Sequence, residues 1–337
     1  MIIINIIKIA FLLGFLVTIH EGGHFLMAKL FKIKVEEFSI GFGPRILTKQ
    51  GKETLYSISL IPFGGYVRML GEEERSDDPR SFSNSKLWKR MMVVLAGPIV
   101  NICFALMIYF VLILSSGLVV TTDIASILPE ASESVKSNLH VGDRIVQING
   151  EKVRSRQDMS KALFLNDGQE VEITIMRDGE KQVYHVTPVN YEGIFILGLE
   201  MTKKENPTIV ERINYAGNET TEFFTSIGES LKMLVTGRVG MDQMTGPVGI
   251  SKMVVETNGL YNFVYLLALV SLSLGVTNLL PIPALDGGRL LILTVEGIRR
   301  KPLPEEMEYR LISLGFTFII LLSLYVTYND IFRIFEK

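Results

Sequence analysis

Four long apolar stretches, separated by more polar segments, dominate the pattern of the 337-residue chain. They run from Ile2 to Ala28, Met91 to Thr122, Phe263 to Leu285 and Leu311 to Val326. A helix that crosses a bilayer needs about 20 residues, so the last stretch is short and would require tilt or local thinning of the membrane. The pattern predicts a polytopic α-helical membrane protein with four transmembrane helices.

The first stretch differs from a secretory signal peptide. Its apolar residues are interrupted by Lys8, His20 and Glu21, and no small-residue cleavage site of the Ala-x-Ala type follows them. Signal peptides end in such a site. We therefore predict that this helix is retained.

The segment of about 120–203 has the pattern of a small domain with short strands. Asn149-Gly150 and Asp178-Gly179 are typical turn pairs, and the second pair predicts a hairpin between residues 171–177 and 181–187. The segment resembles a PDZ domain, an α+β fold whose groove captures C-termini or extended peptides by strand addition. The alternative is a rigid cap whose groove is not used.

Residues 40–69 are rich in glycine and alternate weakly between apolar and polar positions. They predict strands from Glu53 to Leu60 and from Gly65 to Leu70, that is, a β-hairpin region associated with the membrane. An unwound substrate segment could pair with its open edge. An ordinary cytoplasmic hairpin is the alternative.

Residues 219–236 have the spacing of an amphipathic helix, which would lie on the outer membrane surface or serve as a connector. The predicted organisation is then a first part of the membrane core at 1–119 and the inserted PDZ-like domain at 120–205. A connector at 206–262 and the second part of the membrane core at 263–337 complete it.

Composition and charge set the orientation. Hydrophobic residues make up 48% of the chain and charged residues 21%, while the net charge is only −2, so no global field favours nucleic acid as a partner. Lys and Arg concentrate between the first and second spans and between the third and fourth. The positive-inside rule places both loops in the cytoplasm. A multi-pass protein of the cell's inner (plasma) membrane, with an extracytoplasmic PDZ-like domain, is predicted.

The motif His20-Glu21-Gly22-Gly23-His24 is HExxH, within the first span. Residues i and i+4 share a helix face, so both imidazoles can bind one Zn²⁺, and Glu21 can act on the hydrolytic water as general base. The alternative is a chance match. However, a carboxylate inside an apolar helix costs about 2.5–3.5 kcal/mol on insertion scales, which argues against chance.

A catalytic zinc site usually has three protein ligands. The other two histidines, His140 and His185, fall in the outer segment, so a carboxylate at the end of another span must supply the third. Counting crossings brings Asp286, after the third span, to the same cytoplasmic side as HExxH. Asp286 is therefore the predicted third ligand.

Further residues are candidates for binding substrate or supporting the site. Pro281 and Pro283 should unwind the chain before Asp286 and open a water-filled cavity, and Asn278 could hydrogen-bond an extended substrate or a neighbouring helix. Asn101 is either a helix-packing residue or a support for the site. Gly64 and Gly65 belong to the hairpin region.

The order of these motifs resembles the site-2 protease family of intramembrane metalloproteases, especially the bacterial regulator-of-sigma-E protease branch. The resemblance covers nearly the whole chain and rests on the segments HEGGH (20–24), GFGP (41–44), PFGGYV (62–67), AGPIVN (96–101), TGPVGI (245–250) and NLLPIPALDGG (278–288).

The resemblance implies that His20, His24 and Asp286 bind Zn²⁺ and that Glu21 is the catalytic acid and base. It also implies regulated intramembrane proteolysis of single-spanning membrane proteins, such as anti-sigma factors or signal-peptide remnants, in contact with membrane lipid. One chain holds enough ligands, so no oligomer is required. The alternatives are a zinc transporter and a non-catalytic membrane adaptor.

Overall fold

The structure is a computed structural model that describes residues 2–72, 74–191, 194–236 and 245–335. The chain forms two compact units: the first combines Met1–Tyr109 with Phe224–Lys337, and the second is Phe110–Phe223.

The helices are α1 (Ile2–Leu30), α2 (Leu87–Ser116), α3 (Glu133–Asn138), α4 (Arg156–Leu165), α5 (Ile209–Val235), α6 (Pro247–Glu256), α7 (Leu260–Asn278), α8 (Asp286–Arg299) and α9 (Glu305–Phe335). The strands are β1 (Val35–Gln50), β2 (Leu55–Met69), β3 (Val120–Ile127), β4 (Arg144–Ile148), β5 (Glu151–Lys152), β6 (Val171–Arg177), β7 (Glu180–Val186), β8 (Val189–Tyr191), β9 (Ile194–Ile196) and β10 (Leu199–Lys203).

Four helices of the described chain, α1, α2, α7 and α9, are long and apolar enough to cross a membrane. The four predicted spans are thus confirmed as helices, but some of their ends differ. Helix α2 ends at Ser116 rather than Thr122, because Gly117 takes a positive φ and β3 begins at Val120. Helix α9, with 31 residues, is longer than the apolar stretch at 311–326.

The third span also ends earlier than the apolar pattern suggests. Helix α7 stops at Asn278, and residues 279–285 form an irregular link with Pro281 and Pro283 inside it. Proline cannot donate to the helical ladder, which explains the end of the helix. Asp286 is consequently the first residue of a new helix, α8.

Strands β1 and β2 both bend, so that their segments form a sheet with more neighbouring strand segments than a simple hairpin has. The first half of β1 pairs on one side with residues 55–58 and on the other with residues 65–69, while residues 45–50 pair with 55–59. Residues 65–69 therefore form one edge of this sheet. The structure has one strand, β2, from Leu55 to Met69 in place of the two predicted strands, although its two ends pair on opposite sides of β1 and none of the described strand pairs includes residues 62–64.

The sheet packs against α1 and presents apolar side chains on its surface. Phe25 of α1 lies edge-on to Phe38 and Tyr56, with ring centroids 5.2 and 6.0 Å apart. Several large apolar side chains remain exposed: Phe42, Ile46, Leu47, Ile58, Leu60 and Ile61. Such a patch is typical of a surface that contacts membrane or a partner.

The second unit contains an antiparallel sheet with the strand order β10-β3-β4-β6-β7, and β5 pairs with β4. The predicted hairpin is confirmed as β6 and β7, and Asp178 and Gly179 both take positive φ, as a two-residue type I′ turn requires. A core that includes Ile145, Ile173 and Leu163 joins the sheet to α3 and α4. The predicted helix at 219–236 is part of α5, which already begins at Ile209.

A buried ion pair braces this second unit. The Asp143 carboxylate is 2% exposed and accepts two hydrogen bonds of 2.7 Å from the Arg177 guanidinium and one of 2.7 Å from the His140 amide. Burial by itself would raise the pKa of Asp143, but the hydrogen bonds from Arg177 and His140 outweigh burial and hold this pKa below its usual value.

We predict that Asp143→Asn lowers the free energy of unfolding of this unit by about 2 kcal/mol at pH 7, because charge-assisted hydrogen bonds are lost. Since the folded-state pKa is lowered, the stabilisation is present above the unfolded value of about 4 and is lost as the pH falls below it. Pulse proteolysis of the full-length protein in a urea series, at pH 7 and at pH 3, measures both effects.

The control is Asp123→Asn, which removes a similar two-pronged pair with Arg144 whose guanidinium side chain is 59% exposed. Exposed pairs contribute less than about 1 kcal/mol. Equal losses in the two variants would contradict the special role of the buried pair.

Candidate metal centre and active site

Helix α1 places both histidines of HExxH on one face. His20 and His24 are 7% and 9% exposed, and their Nε2 atoms lie 3.2 Å apart. The rings are nearly perpendicular, with an interplanar angle of 81°. Both Nε2 atoms therefore point to one place beside the helix, as the i, i+4 spacing predicts.

Asp286 comes to the same place from the other half of the sequence. Its Oδ2 atom lies 3.0 Å from His20 Nε2 and 3.6 Å from His24 Nε2. The irregular link before α8 makes this possible, and Ala284 in that link takes a positive φ of 84°. A non-glycine residue in this conformation is strained, which is common where a backbone is held for function.

These three atoms fit a zinc ion. Ligands at about 2.0–2.2 Å from a tetrahedral zinc lie about 3.3 Å apart, and the observed separations are 3.0, 3.2 and 3.6 Å. Two imidazoles with one carboxylate is also a ligand set of catalytic zinc.

The backbone of α2 leaves room for this centre. A Cβ atom on Gly97 would lie 2.6 Å from His24 Cε1 and 2.9 Å from His20 Nε2. Contacts below 3.0 Å do not occur for real Cβ atoms. The absence of a side chain at Gly97 is therefore a condition for the two imidazoles to hold their positions.

The other ring nitrogens face α2. His24 Nδ1 donates to the Val93 carbonyl at 2.8 Å, and His20 Nδ1 lies 3.2 Å from Asn101 Nδ2. Metal-binding histidines almost always hydrogen-bond through the nitrogen that is not on the metal. The His24 contact follows this rule, whereas His20 Nδ1 faces the amide nitrogen of Asn101, which is a donor.

A cavity of about 470 Å³ opens beside the three ligands. Glu21 lines it, as do Asn278 at the end of α7 and the edge residues Gly64, Gly65, Tyr66 and Val67. The structure thus brings Asn278, Gly64 and Gly65 to the site. Pro281, Pro283 and Asn101 do not line this cavity; the prolines shape the link to Asp286, and Asn101 contacts the site through His20.

Sequence reasoning missed an ion pair at the mouth of the site. Arg289, one turn after Asp286 on α8, donates to the Glu72 carboxylate and, at 3.2 Å, to the Glu72 carbonyl. Both residues line the cavity of the site and a neighbouring cavity of about 900 Å³. The spacing of three residues between Asp286 and Arg289 predicts that both lie on one face of a helix. No pattern in the sequence, however, pairs Glu72 with Arg289.

A centre of two histidines and an aspartate, with a glutamate in the adjoining cavity and apolar helices around it, defines a membrane-embedded metallopeptidase. Comparison with known proteins agrees. The profile of peptidase family M50 matches residues 8–322. The chain therefore belongs to peptidase family M50, the site-2 protease family, and is a zinc metalloprotease of the membrane.

Three relatives illustrate the similarity. A Clostridium acetobutylicum protein, provisionally named a zinc metalloprotease, is 36% identical, with 97% of each chain covered. The zinc metalloprotease RasP of Bacillus licheniformis is 32% identical over 97% of this chain and 99% of its own. The regulator of sigma-W protease RasP of Bacillus subtilis is 31% identical over 98% and 99%.

We predict that Gly97→Ala weakens zinc binding at least about tenfold, because the new methyl group displaces the imidazoles. Changes to the groups that orient metal ligands usually lower metal affinity by that factor or more. The matched control is Gly22→Ala inside HExxH, whose Cβ would have no neighbour within 4 Å. Ala favours a helix at both positions, so propensity does not separate them. Competition with a chelator measures the affinity, and equal affinities in the two variants would exclude this role of Gly97.

Proposed function

We propose that this protein hydrolyses peptide bonds in the transmembrane segments of single-spanning membrane proteins. The observation that carries the proposal is the position of Glu21. Glu21 lies on the apolar helix α1 and shares one cavity with the three candidate metal ligands and with an open strand edge.

The residues have separate roles in this reaction. When bound, zinc supplies Lewis acidity to the hydrolytic water and the scissile carbonyl. His20, His24 and Asp286 hold it, and Glu21 accepts a proton from the water and passes it to the leaving amine. Asn278, at the end of α7, lines the same cavity as the strand edge and offers an amide that hydrogen-bonds an extended substrate backbone.

The strand edge explains how a helical substrate becomes accessible. A peptide bond inside a helix is shielded by its own hydrogen bonds, so the segment must be extended first. Residues 65–69 pair with β1 on one side, and Gly65, Tyr66 and Val67 line the cavity. An extended segment that adds to this edge lies beside Glu21, in the manner of strand addition. The exposed apolar surface of the sheet suits contact with lipid.

Orientation follows from charge. By the positive-inside rule, the basic loops favour an orientation in the inner membrane with HExxH and Asp286 toward the cytoplasm and the PDZ-like segment outside. Substrates of this kind include anti-sigma factors, and the name of the Bacillus subtilis relative, regulator of sigma-W protease, agrees with regulated proteolysis. The second unit, as a PDZ-like domain, has a cleft of about 990 Å³ lined by α4 and β10 residues that suits an extended peptide.

We predict that Glu21→Gln retains zinc and loses at least about 100-fold in cleavage rate, since an amide cannot accept the proton. The control is Glu53→Gln, which alters only an exposed pair with Lys29 and Arg80. The measurement is cleavage of a single-span substrate by purified protein in lipid, together with zinc content. Cleavage by Glu21→Gln at the wild-type rate would contradict the proposed role of Glu21 as proton acceptor. Zinc uptake into vesicles without cleavage would favour a transporter. A cellular phenotype that survives Glu21→Gln would favour a non-catalytic adaptor.

Strand addition makes a second prediction. Two adjacent glycines near the scissile bond weaken the substrate helix, by roughly 1 kcal/mol each relative to alanine, so this substrate should be cut several-fold faster than its Ala-Ala counterpart. Initial rates on the two substrates at equal concentration test this. Equal rates would show that unwinding does not limit cleavage.

A further inference from the structure

The helix α2 presents one stripe of positions to the HExxH turn. Val93, Gly97 and Asn101 are spaced by four residues and therefore share a helix face. Val93 offers its carbonyl to His24, Gly97 gives the imidazoles room, and Asn101 faces His20. Asn101 is completely buried, and its own backbone carbonyl accepts a hydrogen bond of 3.0 Å from the Ser271 hydroxyl on α7.

Zinc binding sets a requirement on the protons of both histidines. A neutral imidazole carries one N–H, so a ring that binds metal through Nε2 must carry its proton on Nδ1. For His24 the Val93 carbonyl meets this need, because a carbonyl can only accept. For His20 the partner is the Asn101 amide, whose two ends have nearly the same shape but opposite hydrogen-bonding character.

The environment of Asn101 indicates which end matters. With Nδ2 toward His20 Nδ1, the Asn101 Oδ1 atom is buried and has no hydrogen-bond partner among the described residues. Rotation of the amide only exchanges which of its two atoms lacks a partner, so the choice of end is made by the proton on His20 Nδ1, which only Oδ1 can accept. Rotation of the amide by half a turn brings Oδ1 to His20 Nδ1, where it accepts the ring proton and leaves the Nε2 lone pair facing Asp286.

We propose that Asn101 is the positioning residue of the metal centre, and that its side-chain oxygen fixes His20 in the tautomer that binds zinc through Nε2. It acts through His20 and does not touch the substrate. The proposal rests on the metal site of the proposed function but not on proteolysis, because its test reads zinc affinity and histidine protonation.

The experiment compares Asn101→Leu with Asn101→Asp in the full-length protein in detergent. Leucine has a similar volume but no acceptor, so zinc affinity measured against a chelator should fall about 10- to 100-fold, the usual effect of losing such a partner. Aspartate keeps an oxygen acceptor for the Nδ1 proton, so affinity should stay within a few-fold of the wild type. Ser271→Ala, which removes the bond to the Asn101 backbone and leaves the amide in place, should also retain zinc.

A second readout separates positioning from packing. In protein labelled with ¹⁵N at histidine and loaded with zinc, the hydrogen-bonded Nδ1–H signal of His20 should be present in the wild type and Asn101→Asp and weakened or shifted in Asn101→Leu. Unchanged zinc affinity in Asn101→Leu would overturn the proposal. Equal loss of zinc in Asn101→Leu and Asn101→Asp would overturn it as well, because damage to helix packing would then explain both. Zinc binding that follows the expected order without any cleavage would refute the proposed protease function and leave this inference standing.

Discussion

The close approach of helix backbones around the HExxH turn is the constraint on which the rest of the site depends. A Cβ atom on Gly23 would lie 2.6 Å from the Ala96 carbonyl of α2, and one on Gly275 of α7 would lie 2.8 Å from the Pro98 carbonyl. In a membrane, helices gain little from excluding water and associate through such small-residue contacts. Glycines on α1, α2 and α7 thus bring the histidines, Asn101 and the end of α7 within reach of one another.

The irregular link at residues 279–285 adds Asp286, the third candidate ligand, to this packed core. Exposed backbone groups are tolerated at membrane depth only where protein or a cavity surrounds them. Here, Gly287 and Gly288 of α8 and Gly315 of α9 pack closely against the link, and the cavity of the site lies along Ala284 and Leu285. The link can therefore remain non-helical and hold Asp286 against the two histidines.

The two compact units differ in where their apolar side chains lie. The second unit has a core of buried aliphatic residues and a buried ion pair, as a small domain in water does. The first unit keeps many large apolar side chains exposed on α1, α9 and the β1–β2 sheet, which suits a lipid environment. A site for hydrolysis inside the first unit needs polar groups, and His20, Glu21, His24 and Asp286 line one cavity together with the edge of β2.

Much of the local structure of this protein could be predicted from short stretches of its sequence. Helical periodicity puts His20 and His24 on one face because both lie on one continuous helix, and apolar length predicts four spanning helices. The Asp178-Gly179 turn specifies its hairpin since few residue pairs take positive φ at both positions. The candidate residues of the site were also predicted from the sequence, and counting membrane crossings supported the choice of Asp286.

The tertiary structure alone decided how the distant segments meet. The contact between Asn101 and His20 joins residues 81 positions apart, and that between Arg289 and Glu72 joins residues 217 positions apart. The first half of β1 pairs with two separate parts of β2, so that residues 65–69 become an edge. No local pattern carries these facts, because they depend on which backbones can approach closely. The sequence by itself thus determined the helices, the turns and the chemistry of the ligands, and packing decided the orientation of each ligand and the strand beside it.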